Sequence, residues 1–156
     1  MQGEARELIK EGVVTAVFPE SHEVRCEFAD KDGLISAQLP VLTPCAFGDR
    51  YYNMPDVGDS VVCLFTSNAD TTGTGFVIGS RFNDKAPPNA NSIDITRTDY
   101  KDGSFIEYNR EEHTLKIKCV GEIYIDGAKI YLNSGGDDEQ EEDDDDDGDT
   151  GGDTNN

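Results

Sequence analysis

The chain of 156 residues has no tryptophan, two methionines, only 13 basic residues against 33 acidic ones, and 35% hydrophobic residues. Each shortage excludes something. Apolar content this lean supports one ordinary domain or two small pieces, not a large core. So few Lys and Arg argue against broad binding to a phosphate backbone, which needs clustered cations to release counterions, and against an anionic membrane surface. No run approaches the roughly 18 apolar residues of a membrane span. The opening Met-Gln-Gly-Glu-Ala-Arg-Glu lacks the charged-then-apolar order of a signal peptide, so a soluble chain made in the cytoplasm is expected. Close cysteine pairs are missing too: Cys26, Cys45, Cys63 and Cys119 are widely spaced, and three of them sit in strand-like apolar runs. The two histidines, His22 and His113, lie in separate segments without a nearby cysteine. Buried free thiols are expected, with no zinc site and no other metal or cofactor.

What is abundant is acid, and it is unevenly placed. Residues 137–156 hold 12 of the 33 acidic residues and none of the basic ones. Residues 1–136 therefore carry 21 acidic against 13 basic residues, a charge of −8 out of the total −20. The tail contains Asp143-x-Asp145-x-Asp147-Gly148, the opening of a calcium loop, but Thr154 stands where the bidentate Glu belongs. A solvated, self-repelling, disordered acidic tail over 135–156 is the reading.

Periodicity in the first half gives short β-runs cut by turn residues: Gly12–Phe18, Glu23–Phe28, Leu34–Leu39, Ser60–Thr66 and Gly75–Phe82. Five strands in so short a span predict an all-β barrel over residues 12–82. Val24, Cys26 and Phe28 alternate with Arg25 and Glu27, so that strand has a wet face. Val61, Cys63 and Phe65 interleave with Val62 and Leu64, so the fourth strand has little wet face. Asp30-Lys31-Asp32-Gly33 reads as a hairpin turn. A long irregular loop carries Pro40, Pro44, Phe47, Gly48, Arg50, Tyr51, Tyr52 and Pro55, with its aromatics suited either to packing between subunits or to stacking on bases. Helical periodicity is confined to Glu4–Lys10 within an N-terminal segment, residues 1–11.

Residues 83–92, with paired Pro87-Pro88, form a linker by composition. Residues 93–134 then break into very short period-two pieces with turns at Gly103, Asn109–His113, Gly121 and Gly127. Each piece has one apolar and one polar stripe, and no helix is present to cover the apolar side. A segment this small cannot bury its own core. The economical solution is that several copies cover one another, winding side by side with Ile and Leu on a shared axis.

The run Met54-Pro55-Asp56-Val57-Gly58-Asp59-Ser60-Val61-Val62-Cys63-Leu64-Phe65, followed by Gly75-Phe76-Val77-Ile78-Gly79-Ser80-Arg81-Phe82-Asn83-Asp84-Lys85-Ala86-Pro87-Pro88, resembles the fourth and fifth strands of the spike-base domain of contractile injection machines. The family comprises phage baseplate assembly protein V, its relatives in contractile bacteriocins, and the valine-glycine repeat spike proteins of type VI secretion. Gly12–Val17 resembles the family's first strand, and Ser104–Tyr108 with His113–Ile117 the first turns of its spike, so the likeness covers roughly residues 8–134.

This resemblance implies a five-stranded oligonucleotide/oligosaccharide-binding (OB) fold barrel that trimerises. It further implies a short trimeric intertwined β-helix needle over residues 93–134, after the linker. Ile106, Leu115, Ile117, Ile123, Ile125, Ile130 and Leu132 are the expected trimer core. The implied function is structural and non-enzymatic: the central spike of a contractile phage tail or tail-like particle, joined to a baseplate hub protein and driven through the target cell envelope by sheath contraction. The chain would assemble in a bacterial cytoplasm and reside in the virion or particle baseplate. Some family needles end in a His-x-His pair that binds iron; no such pair exists here, so no metal is carried over. Others carry a lysozyme domain between barrel and needle, for which residues 83–92 leave no room. The needle is short, which suggests completion by a separate small spike-tip protein. His113, in Glu111-Glu112-His113-Thr114, reads as a turn residue and not as a general base, and no catalytic residue is assigned. The alternative function is a single-stranded nucleic-acid-binding OB-fold protein with an acidic tail, opposed by the missing tryptophan and the −8 charge of the folded part.

Overall fold

In a computed structural model the described residues are 8–66 and 74–133. The acidic tail with its calcium-loop motif, and most of the expected helical segment Glu4–Lys10, lie outside them. The protein is all-β, with antiparallel sheets and, among the described residues, one short 3-10 turn. Among the described residues nine strands follow in order: β1 (Ile9–Phe18), β2 (Glu23–Phe28), β3 (Leu34–Ile35), β4 (Leu39–Pro40), β5 (Ser60–Phe65), β6 (Gly75–Ser80), β7 (Ile95–Asp99), β8 (Phe105–Asn109) and β9 (Thr114–Lys118). The chain divides into two compact units, residues 1–95 and 96–156.

The first unit is one sheet in the order β3-β2-β1-β5-β6, with β4 also paired to β2. β2 and β5 alternate strictly between buried and outward residues, as a half-buried period-two surface requires. Val14, Val24, Cys26, Phe28, Leu39, Val61, Cys63, Phe65 and Val77 make the core. The Phe28 and Phe65 rings meet edge to face at 5.7 Å, the geometry their quadrupoles favour. Burial of each large side chain here contributes on the order of 1.5–3 kcal/mol. The outward side of β5 is apolar as well: Val62 and Leu64 are half-buried, and Leu64 faces Ile9 of β1 and Phe76 of β6.

Continuous strand ladders do not close this sheet into a barrel. The sheet's two ends are joined by a single parallel bridge, Val41 to Val77, with the Leu42 amide donating to the Val77 carbonyl at 2.9 Å.

Several expected boundaries are corrected. Ile9 and Lys10 belong to a strand and not to a helix, because their partners Leu64 and Cys63 on β5 hold them extended. The expected strand Leu34–Leu39 is two strands, β3 and β4. Between them the buried Ser36 hydroxyl accepts the Cys26 N–H at 2.9 Å and donates to the Ala37 carbonyl at 2.7 Å, so a side chain takes the place of a ladder acceptor. β6 stops at Ser80, short of Phe82. Of the four thiols, Cys26 and Cys63 are buried with their sulfurs 3.9 Å apart, whereas Cys45 and Cys119 are exposed; all four are free. The β2–β3 turn does form at residues 29–33, with Asp32 and Gly33 both at positive φ.

The second unit is a three-stranded antiparallel sheet, β7-β8-β9. β8 and β9 pair without interruption from Phe105↔Lys118 to Asn109↔Thr114. His113, at φ 55°, lies in the tight turn between them.

Among the described glycines of the first unit, Gly75 has the least room for a side chain. A Cβ there would stand 2.5 Å from the Leu64 carbonyl oxygen and 2.9 Å from the Phe65 ring, both held by the β5–β6 ladder. Gly75→Ala is expected to destabilise the unit by about 1–3 kcal/mol, read as a lower urea midpoint with an unchanged slope.

Candidate functional site

β8 and β9 sort their side chains by parity. Ile106 lies opposite Ile117 and Tyr108 opposite Leu115 on one face; Phe105, Glu107 and Asn109 lie opposite Lys118, Lys116 and Thr114 on the other. Ordinary packing would shelter the apolar face. Here the polar one is the more sheltered. Arg97 of β7 places its guanidinium over the Phe105 ring at 3.9 Å, a cation–π distance. The same group donates to Asp99 from Nε (2.9 Å) and Nη2 (2.7 Å) and to Glu107 from Nη1 (2.6 Å). These two carboxylates, Asp99 first, push the Arg97 pKa upward, so the guanidinium stays charged. Lys116 Nζ adds ion pairs with Glu107 at 3.8 Å and Glu112 at 3.9 Å.

The other face has no cover among the described residues. All seven residues expected to line a shared axis are exposed in the single chain, from 42% for Ile106 to 89% for Leu132. The structure brings Ile106, Leu115 and Ile117 together on one sheet face, and Tyr108 joins them. Ile123, Ile125, Ile130 and Leu132 lie in residues 119–133, which form no strand within the chain. That segment repeats itself, Ile123-Tyr124-Ile125 and Ile130-Tyr131-Leu132, with Asp126-Gly127-Ala128-Lys129 between. Both tyrosines are exposed too, and the Tyr124 hydroxyl donates to the Glu122 carboxylate, which raises the tyrosine pKa.

The first unit has its own exposed feature, the loop of residues 41–55. At its base the Val41 amide donates to the His22 carbonyl (3.0 Å), and His22 Nδ1 donates to the Val41 carbonyl (3.0 Å). Because a carbonyl only accepts, Nδ1 is the donor of this bond, while Nε2 is buried and has no hydrogen-bond partner among the described residues. The Tyr52 ring packs on the imidazole at 5.3 Å. Further out, Ala46 and Arg50 form an isolated antiparallel bridge, the Tyr51 amide donates to the Cys45 carbonyl at 3.1 Å, and the Thr43 hydroxyl donates to the Tyr51 carbonyl. The loop is thus a small locked hairpin whose tip, Phe47, is 95% exposed.

Among the described residues no group of three His, Cys, Asp or Glu side chains is placed to hold a metal ion. The chain matches no known protein family, and no curated protein is similar to it.

Sequence reasoning had not placed the Arg97 clamp, Tyr108 or the Ser36 insertion. Arg97 and Asp99 stand two apart in a strand, hence on one face, and Glu107 is the nearest acid on the next strand; that spacing was the available signal.

The turn leading into β8 supplies a pH-dependent probe. The Asp102 carboxylate accepts the Ser104 amide at 2.8 Å, and this bond holds its pKa below the usual value. A lowered carboxylate pKa stabilises the turn above the ordinary Asp value of about 3.9 and loses that contribution as pH falls through the lowered one. The Ser104 amide resonance is expected to titrate with a midpoint below the ordinary value, and Asp102→Ala to abolish the step.

Proposed function

We propose that the chain is a structural subunit, the trimeric central spike of a contractile phage tail or tail-like particle, and not an enzyme. The observation that carries this reading is the apolar face of the second unit, uncovered among the described residues and continued by residues 119–133. These form no strand within the chain, and their large aliphatic side chains are exposed. A three-chain β-helix would bury Ile106, Leu115, Ile117, Ile123, Ile125, Ile130 and Leu132 on a common axis. It would also pair the strand edges that β7 and β9 leave open. The Arg97–Asp99–Glu107–Lys116 network suits the outer surface of such a needle, since it satisfies charges that water still reaches.

For the first unit we propose an OB-type barrel. Support comes from the cyclic neighbour order, β1 to β2, β2 to β4, residue 41 to β6, β6 to β5 and β5 back to β1, in which one step is a lone bridge and not a ladder. In this reading the barrel joins a baseplate hub, the needle faces the target envelope with a separate tip protein at its end, and the work is mechanical. Interlocked chains with a dense backbone ladder resist compression when the sheath contracts.

Light scattering coupled to size exclusion is expected to give three times the 17.1 kDa chain mass. Ile117→Asp would bring three carboxylates onto the axis, and a monomeric mass is expected for it. A wild-type monomer, or an undisturbed Ile117→Asp trimer, refutes the shared axis.

The second reading, binding of single-stranded nucleic acid, has the exposed Phe47, Tyr51 and Tyr52 in its favour. Stacking of this kind works beside a cationic groove, and the −8 of residues 1–136 opposes one. Fluorescence anisotropy of a labelled oligonucleotide is expected to show no binding even at low salt.

A further inference from the structure

We propose that the Phe47 hairpin is a docking knob for a second copy of this chain, seated in a hollow at the far end of that copy's β1. The inference rests on the spike reading only in taking the protein to be a trimer; it names a surface in the first unit, separate from the needle core.

A phenylalanine 95% exposed at a loop tip is costly in water unless something covers it. Its loop is also unusually well fixed, by the Ala46–Arg50 bridge, the Tyr51–Cys45 and Thr43–Tyr51 hydrogen bonds, and the two His22–Val41 bonds at its base. A preorganised aromatic loses little entropy on docking, which is the character of an interface anchor.

The chain carries a matching receptor. A hollow of about 440 Å³ is lined by Gly12, Val13 and Ala29 together with Glu11, Glu27 and Arg81. Val13, opposite Glu27, is an outward apolar side chain at this hollow that is not buried within the chain. Charges on the two sides are complementary. Phe47 is followed by Asp49 and Arg50, one of each sign, and the hollow offers Glu27 and Arg81. Arg81 is already paired with Glu11 at 2.7 Å, an exposed bridge that Asp49 can join without leaving a charge alone.

Placement decides between a chain's own hollow and a neighbour's. The knob's base is tied to His22, beyond the Phe18 end of β1, while the hollow sits at Gly12 and Val13. Phe18 lies five steps along the strand from Val13, about 17 Å at the rise of an extended chain. Knob and hollow therefore lie toward opposite ends of β1, and a contact between them joins different copies head to tail. Such heterologous contacts form a closed ring when the rotation closes, and in this trimer the ring has three members.

The test uses the full chain with the exposed Cys45 and Cys119 replaced by serine, into which Phe47→Cys and Val13→Cys are introduced singly and together. A short bis-maleimide is added, and products are read on a denaturing gel beside the light-scattering mass. The paired variant is expected to give covalent dimers and trimers, about tenfold or more above either single variant, as the high effective concentration of a docked pair demands. Arg50→Glu should lower that yield, and combining it with Glu27→Arg should restore it. A trimer by light scattering without crosslinks overturns the knob and leaves the spike reading standing. A monomeric mass without crosslinks overturns both. Crosslinking of Phe47→Cys alone, meaning knob against knob, or a crosslink confined within one chain, also overturns the proposal. So does an unchanged yield in Arg50→Glu, which would remove the charge pairing it invokes.

Discussion

A β-strand has two faces, and an apolar face has to be covered by something. The first unit meets this constraint by curling one sheet, so that inward residues of β1, β2, β5 and β6 close on each other around Phe28 and Phe65. β1 is central because it pairs with β2 on one side and β5 on the other. Its bulge between Val14 and Ala16 changes the register midway, and such bulges bend a strand and increase its twist. Three short strands cannot curl this way. The second unit accordingly keeps an apolar face that no described residue covers.

The charged clamp over Phe105 explains how a small sheet holds its shape within one chain. Arg97 fills three roles with one planar group: it shields an aromatic ring, neutralises Asp99, and bridges to Glu107 on the next strand. A lysine could not reproduce that arrangement, since it lacks the fork of donors and the flat face. Order along β7–β9 thus comes from the polar side, which leaves the Ile106, Tyr108, Leu115 and Ile117 side available for assembly. Exposed apolar surface on this scale, together with the knob at Phe47, fits a protein whose final form contains more than one chain.

Much of this was legible in the residues. The alternation Val24, Cys26, Phe28 reads directly as an inward row, and the double apolar alternation of β5 reads as a strand with little exposure to water. Turn residues marked the hairpins at 29–33 and 109–113. Legibility failed where a side chain answered to a distant partner. Ser36 interrupts a strand because its hydroxyl meets the Cys26 amide ten residues away, and Ile9 and Lys10 are extended because β5 lies beside them. Cys45 and Cys119 looked apolar by type, but one lies in an exposed loop and the other just past the end of β9, and both are exposed.

By itself the sequence determined the period-two faces, the turns between them and the concentration of acid in its last twenty residues, because these depend on neighbours one to four positions apart. Only the tertiary structure decided which face of each sheet is covered. Burial is a property of what lies opposite, and for β8 and β9 the group that lies opposite is Arg97 on the polar side, with nothing among the described residues on the apolar one.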